Sequence, residues 1–144
     1  MENYPLVFQP SDKIIFPTPV VGELTSENHL LIKNVSQGKI VVKIKCTSNK
    51  LFRISPVFLG MDPDEARMVR LIFITENDIP TNGKHHFSLY TIPYFENLSL
   101  RENFASINGK HCLKKIIPIF FDKNVTQNKI NTNNYSIDKN NNQS

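Results

Sequence analysis

Tryptophan is absent from these 144 residues, cysteine occurs twice, and the five glycines stand singly along the chain. Isolated glycines exclude the glycine-rich loops that cradle nucleotide phosphates. No run of about 20 apolar residues exists, so no segment is long enough to cross a bilayer as a helix, and no membrane insertion is expected. The start, Met1-Glu2-Asn3-Tyr4-Pro5, has neither a basic region nor an apolar continuation. A secretory signal is therefore not expected, and a cytoplasmic location is. In that compartment Cys46 and Cys112, both on apolar-periodic positions, are expected to be buried free thiols. The Asn-x-Ser/Thr triplets at Asn34, Asn97, Asn124, Asn134 and Asn142 read as by-products of an asparagine-rich chain, not as glycan acceptors.

Catalytic and metal-ligating patterns are missing as well. His29, His85, His86 and His111 have no carboxylate or cysteine neighbours at ligand spacing. Adjacent His85 and His86 would point to opposite faces of a strand. Asp62, Asp64 and Glu65 cluster in a turn without the spacing of a calcium loop. The expectation is a protein that is not an enzyme and carries no metal or cofactor. The formal charge of +4 is scattered, and the last 23 residues contribute three lysines and two aspartates to it. Nucleic-acid binding, which calls for a concentrated basic stripe with stacking platforms, is not expected.

What is present is an alternation. Ile40, Val42, Ile44 and Cys46 alternate with Val41, Lys43, Lys45 and Thr47, the period of a strand with one apolar face and one face turning basic. After a polar break at Ser48–Lys50, Leu51–Ser55 reads as a second strand stopped by Pro56. Leu6–Phe8 and Ile14–Phe16 read as one edge strand broken by prolines, with Val20–Glu27 as a loop. His29–Val35, Arg67–Thr75, Lys84–Ile92 and Cys112–Phe121 complete seven short strands. Pro118 implies that the last strand is exposed on one edge at that point. Phe87 and Leu89 should face inward, with His86, Ser88 and Tyr90 opposite. Ser99 and Glu102 form a Ser-x-x-Glu capping box, so a helix of one to two turns is expected inside the last long connection.

The resulting fold class is all-β: an immunoglobulin-like, seven-stranded β-sandwich with one short helix in the last long loop. Its core should include Ile40, Val42, Ile44, Phe52, Ile54, Val69, Leu71, Phe73, Phe87, Leu89, Ile117 and Ile119. Residues 1–121 form the domain. Residues 122–144 hold eight asparagines and only three aliphatic side chains, too few to offset the entropy of ordering, and are expected to be a disordered tail.

The stretch from Ile40 to Pro63 resembles the core of the major sperm protein (MSP) domain: Lys-Ile-Lys, Cys-Thr, Asn-Lys, Phe-Arg-Ile-Ser-Pro-Val and Met-Asp-Pro follow in its order. The likeness extends from about Leu6 to Phe121. It implies one of two activities. Stand-alone domains of nematode sperm assemble with themselves or with other MSP-domain proteins into a cytoskeleton, and the absence of an anchor or coiled coil favours this reading. Membrane-contact adaptors of the same family instead bind peptides with two phenylalanines in an acidic tract, of the FFAT type. That resemblance offers Lys43, Lys45 and Thr47 as peptide-binding residues, with Lys50, Arg53, His86 and Phe87 around them. Cys46 stands where adaptors have a threonine, and His86 and Ser88 flank Phe87 where they have a lysine and a methionine. One charge thus becomes titratable and an apolar lid is lost, so weaker peptide affinity is implied.

Overall fold

The computed structural model describes residues 3–19, 23–74, 79–107 and 112–122. The expected asparagine-rich tail, Asp122 apart, lies outside them. The described residues form nine strands and one helix: β1 (Leu6–Gln9), β2 (Ile14–Pro17), β3 (Thr25–Asn34), β4 (Ile40–Cys46), β5 (Phe52–Ser55), β6 (Phe58–Met61), β7 (Ala66–Ile74), β8 (His85–Pro93), α1 (Leu100–Ile107) and β9 (Leu113–Asp122). They build a two-sheet sandwich, β1-β3-β7-β5 against β2-β9-β8-β4-β6. All pairings are antiparallel except β2 with β9.

The fold class is the expected one, and two sheet crossings account for nine strands where seven were read. A proline ends a ladder because it has no N–H to donate. Pro10 separates β1 from β2, and Pro56 separates β5 from β6. At each the chain leaves one sheet and enters the other, so both flanks of the sandwich are closed by a crossing segment. The peptide bonds before both prolines are cis.

Inward-facing residues of the two sheets meet in one apolar layer. Phe16 sits at its centre, with ring centroids 5.8 Å from both Phe52 and Phe73, 6.0 Å from Phe121 and 6.4 Å from Phe87. The expected core residues are all buried there except Ile54, which is half-buried and packs against the layer. Ile14, Phe16, Leu30, Ile32 and Met61 join them.

β9 lies between β2 and β8, yet at Pro118 no described strand covers its β2 side, which is the one-sided exposure that the proline implied. The parallel ladder with β2 begins one residue later, at Ile119, so the missing N–H falls ahead of it. Two local expectations change. The cysteines are free but only half-buried, since Cys46 ends its strand and Cys112 precedes one. The Cys46 Sγ reaches Ser48 O at 3.4 Å and Asn49 Oδ1 at 3.3 Å, and burial pushes its thiol pKa up. Thr25–Glu27, read as loop, already belongs to β3. Asn34 is unavailable to a glycan because its amide is fully buried, donating to Gly38 O at 2.9 Å and Met61 O at 3.0 Å.

The helix starts where the capping box placed it. Ser99 N–H donates to Glu102 Oε1 at 2.8 Å, and Glu102 N–H to Ser99 Oγ at 3.1 Å, which satisfies two donors left open by the first turn. Asn103, wholly buried, then closes the preceding loop. Its Oδ1 accepts from Phe95 N–H at 2.9 Å, and its Nδ2 donates to Phe95 O and Ser99 O at 3.0 Å.

Candidate functional site

Outward-facing residues of the five-stranded sheet form the face that the alternation in β4 pointed to. Its first row is not open. Val41 is fully buried, because α1 lies across it and packs Ile107 and Phe104 against Val41 and Ile92. Gly60 lies beneath this edge of the helix, where a β-carbon would make ordinary contact with Lys39 Cε at 3.4 Å and Leu100 Cδ1 at 3.6 Å.

Beyond the helix the face is a lattice of lysines and rings. Phe58, Lys43, Tyr90 and Lys114 are direct cross-strand partners, one row across β6, β4, β8 and β9. Lys45, Ser88 and Ile116 make the next row. Lys43 Nζ lies 5.6 Å from the Phe58 ring centre, and the Nζ atoms of Lys45 and Lys114 lie 5.4 and 5.5 Å from that of Tyr90. Such contacts hold the ammonium groups by attraction to the negative ring faces while the stems cover apolar surface. Burial and the neighbouring Lys45 lower the Lys43 pKa. Phe58 also stacks on Phe104 of α1, with ring centroids 4.4 Å apart.

The residues expected to bind peptide do not all meet there. Lys43 and Lys45 do, and His86 lies half-buried farther along the same face, opposite Pro118. Thr47 falls past the end of β4, where its hydroxyl lies 2.7 Å from His85 Nδ1 and its N–H donates to His86 O. Lys50 is exposed in the following turn. Arg53 belongs to the other sheet, with its guanidinium folded back onto the carbonyls of Asn49 and Phe52. Phe87 is 0% exposed in the core, so it supports the face only by packing beneath it. Phe58, Lys114 and Phe104 were missed as members of the face, and Tyr90, read as outward-facing, was not counted among the binding residues. Tyr90 and Lys114 carried a signal, since each follows the period of its strand; Phe58 and Phe104 carried none without β6 and the helix position.

Two grooves of about 700 Å³ each adjoin the sandwich. One runs between the end of β4 and β5, with Ile44, Phe52 and Val57 as apolar floor and Lys45 and Arg53 at its rim. The other opens at one end of the sandwich between Pro5, Lys39, Pro93 and Leu113. No group of three or more His, Cys, Asp or Glu among the described residues is arranged to hold a metal ion, and no described helix is long and apolar enough to cross a membrane.

The sequence profile of the MSP (Major sperm protein) domain matches residues 5–110. A Caenorhabditis elegans protein, ZK688.12, is 33% identical over 90 residues, 62% of this chain and 51% of that protein. The chain thus spans about half the length of that relative. Among solved structures, WR4, a C. elegans MSP family member, superposes with a TM-score of 0.65 at 12% identity, over 83% of this chain and 100% of WR4. SSP-19, an MSP-domain-like protein of C. elegans, gives 0.60 at 17% identity, over 79% of this chain and 98% of SSP-19. At such identities the likeness shows the fold.

Proposed function

Because the chain belongs to the major sperm protein domain family, we propose that it acts without catalysis, as a structural protein that assembles with itself or with related MSP-domain subunits in a cytoskeleton. The observation that supports this reading is an incomplete sheet margin. β2 covers only Ile119–Asp122, and the first half of β9 has β8 on one side and no described strand on the other. Ile116, 48% exposed, stands in that stretch. Unpaired N–H and C=O groups of such a margin accept a further strand. One contact of this kind between identical patches closes after two subunits, so a longer array needs a second surface. Sedimentation equilibrium from about 5 to 500 micromolar should show mass action from monomer to dimer and beyond. A strict monomer throughout, alone and with a co-expressed MSP-domain partner, overturns the assembly reading.

A second reading rests on the groove beside β4, whose apolar floor and cationic rim suit an acidic peptide with paired phenylalanines. Such a peptide should bind with a Kd of about tens of micromolar, and Lys45→Glu should abolish binding by setting like charges together. Equal binding by wild type and variant removes this reading.

A further inference from the structure

We propose that the part of the five-stranded sheet's outer face left open by α1 docks on an anionic lipid bilayer. Lys45, Lys114 and Lys13 are exposed, and half-buried Lys43 lies among them. Each ammonium sits over an aromatic ring of the same sheet face, Lys13 at 5.9 Å from Phe120 and the others over Phe58 and Tyr90. The ring contacts hold the four charges against the outer side of the sheet. Between Gly60 and Phe120 no outward-facing strand residue is a carboxylate; Asp122 at the end of β9 is the first. The ion pairs Glu27–Arg70, Glu27–His29 and Glu65–Arg67 lie with the other sheet.

Shape decides between anionic partners. Both grooves lie off this face, one at its margin beyond Lys45 and one at the end of the sandwich. Neither groove opens between the lysines to take an anchoring phenylalanine, whereas a plane of phosphate and carboxylate headgroups needs no groove. Phe58, Ile15 and Ile116, respectively 43, 43 and 48% exposed, project from the same side. They are placed to enter the headgroup region once the lysines have brought the face down, without spanning the bilayer. Each lysine near an anionic surface contributes about 1 kcal/mol, roughly a fivefold gain in partition.

The test is co-sedimentation of the full chain with vesicles of phosphatidylcholine alone or with about 30 mol% phosphatidylserine. Binding should require phosphatidylserine and should fall steeply between about 0.1 and 0.5 M salt. The double variant Lys45→Glu/Lys114→Glu should bind at least about thirtyfold more weakly. A charge-matched control on the opposite sheet, Lys33→Glu/Arg67→Glu, should stay within about threefold of wild type, and circular dichroism must show both variants folded. Equal binding to the two vesicle types, or equal losses in the two variants, overturns the proposal. So does tight binding of an acidic diphenylalanine peptide by a protein that ignores phosphatidylserine, which would give the face to a peptide.

Discussion

The outer faces of the two sheets are built from the same alternation and handle charge in opposite ways. On the four-stranded sheet Glu27 and Arg70 are two residues off direct register, on paired strands β3 and β7, and the carboxylate meets the guanidinium at 2.9 and 3.0 Å and His29 at 3.1 Å. Leu31 pairs with Met68 beside them. Glu27 and Arg70 neutralise one another within the face, and the Arg70 hydrogen bond holds the Glu27 pKa below the usual carboxylate range. On the five-stranded sheet the outward-facing charges short of Asp122 have one sign, and rings are their neighbours. An ion pair cancels much of its own field at a distance, whereas lysines held on aromatic rings keep theirs.

The strongest perturbation removes what both faces stand on. Phe16→Ala should destabilise the whole sandwich by about 3 to 5 kcal/mol, because the ring packs on four others and the cavity cannot close. Chemical denaturation should show one cooperative transition at lower denaturant, with both sheets lost together. Asn103→Ala should act on one side only. It strips the clamp from the loop before α1, costs about 1 to 3 kcal/mol, and should speed amide exchange at Phe95 while β3 and β7 keep their protection.

Smaller still is a pH effect at the end of β8. Burial first, then Lys84 and His86, lowers the His85 pKa. The folded state thus binds the proton less readily than the unfolded chain. Stability from this source is complete above the unfolded value, near 6.5, and is lost as pH falls toward the folded value. Acid titration of the unfolding midpoint should show this loss, and His85→Gln should flatten it. The smallest effect belongs to the four-stranded face: Glu27→Gln should move the melting temperature by no more than about 1 degree, since an exposed pair is well screened. A large shift there would mean that this face is covered in the working protein.

Legibility followed the range of the interaction concerned. The inward set of β4, β7 and β8 could be read because a two-residue period is a local property of consecutive side chains. The Ser99–Glu102 box could be read for the same reason, since its two hydrogen bonds close within four residues. β6 could not: four residues between Pro56 and Asp62-Pro63 look like a turn until β4 supplies the ladder. The candidate face was half legible. Lys43 and Lys45 share a strand and a period, whereas Lys114 and Phe58 come beside them only through register with β8 and β4.

By itself the sequence determined which side chains are apolar, where strands must stop and where the helix begins, because prolines, periods and caps act through the nearest few bonds. Tertiary structure alone decided that Val41 is roofed and Lys43 is not, that Arg53 folds back on its own strand, and that β2 covers β9 only beyond Pro118. Each of those depends on which distant segment arrives alongside, and for β2 on β9 that segment lies about a hundred residues away. No local period carries that information; it appears only when burial of the shared phenylalanine layer selects one arrangement of both sheets.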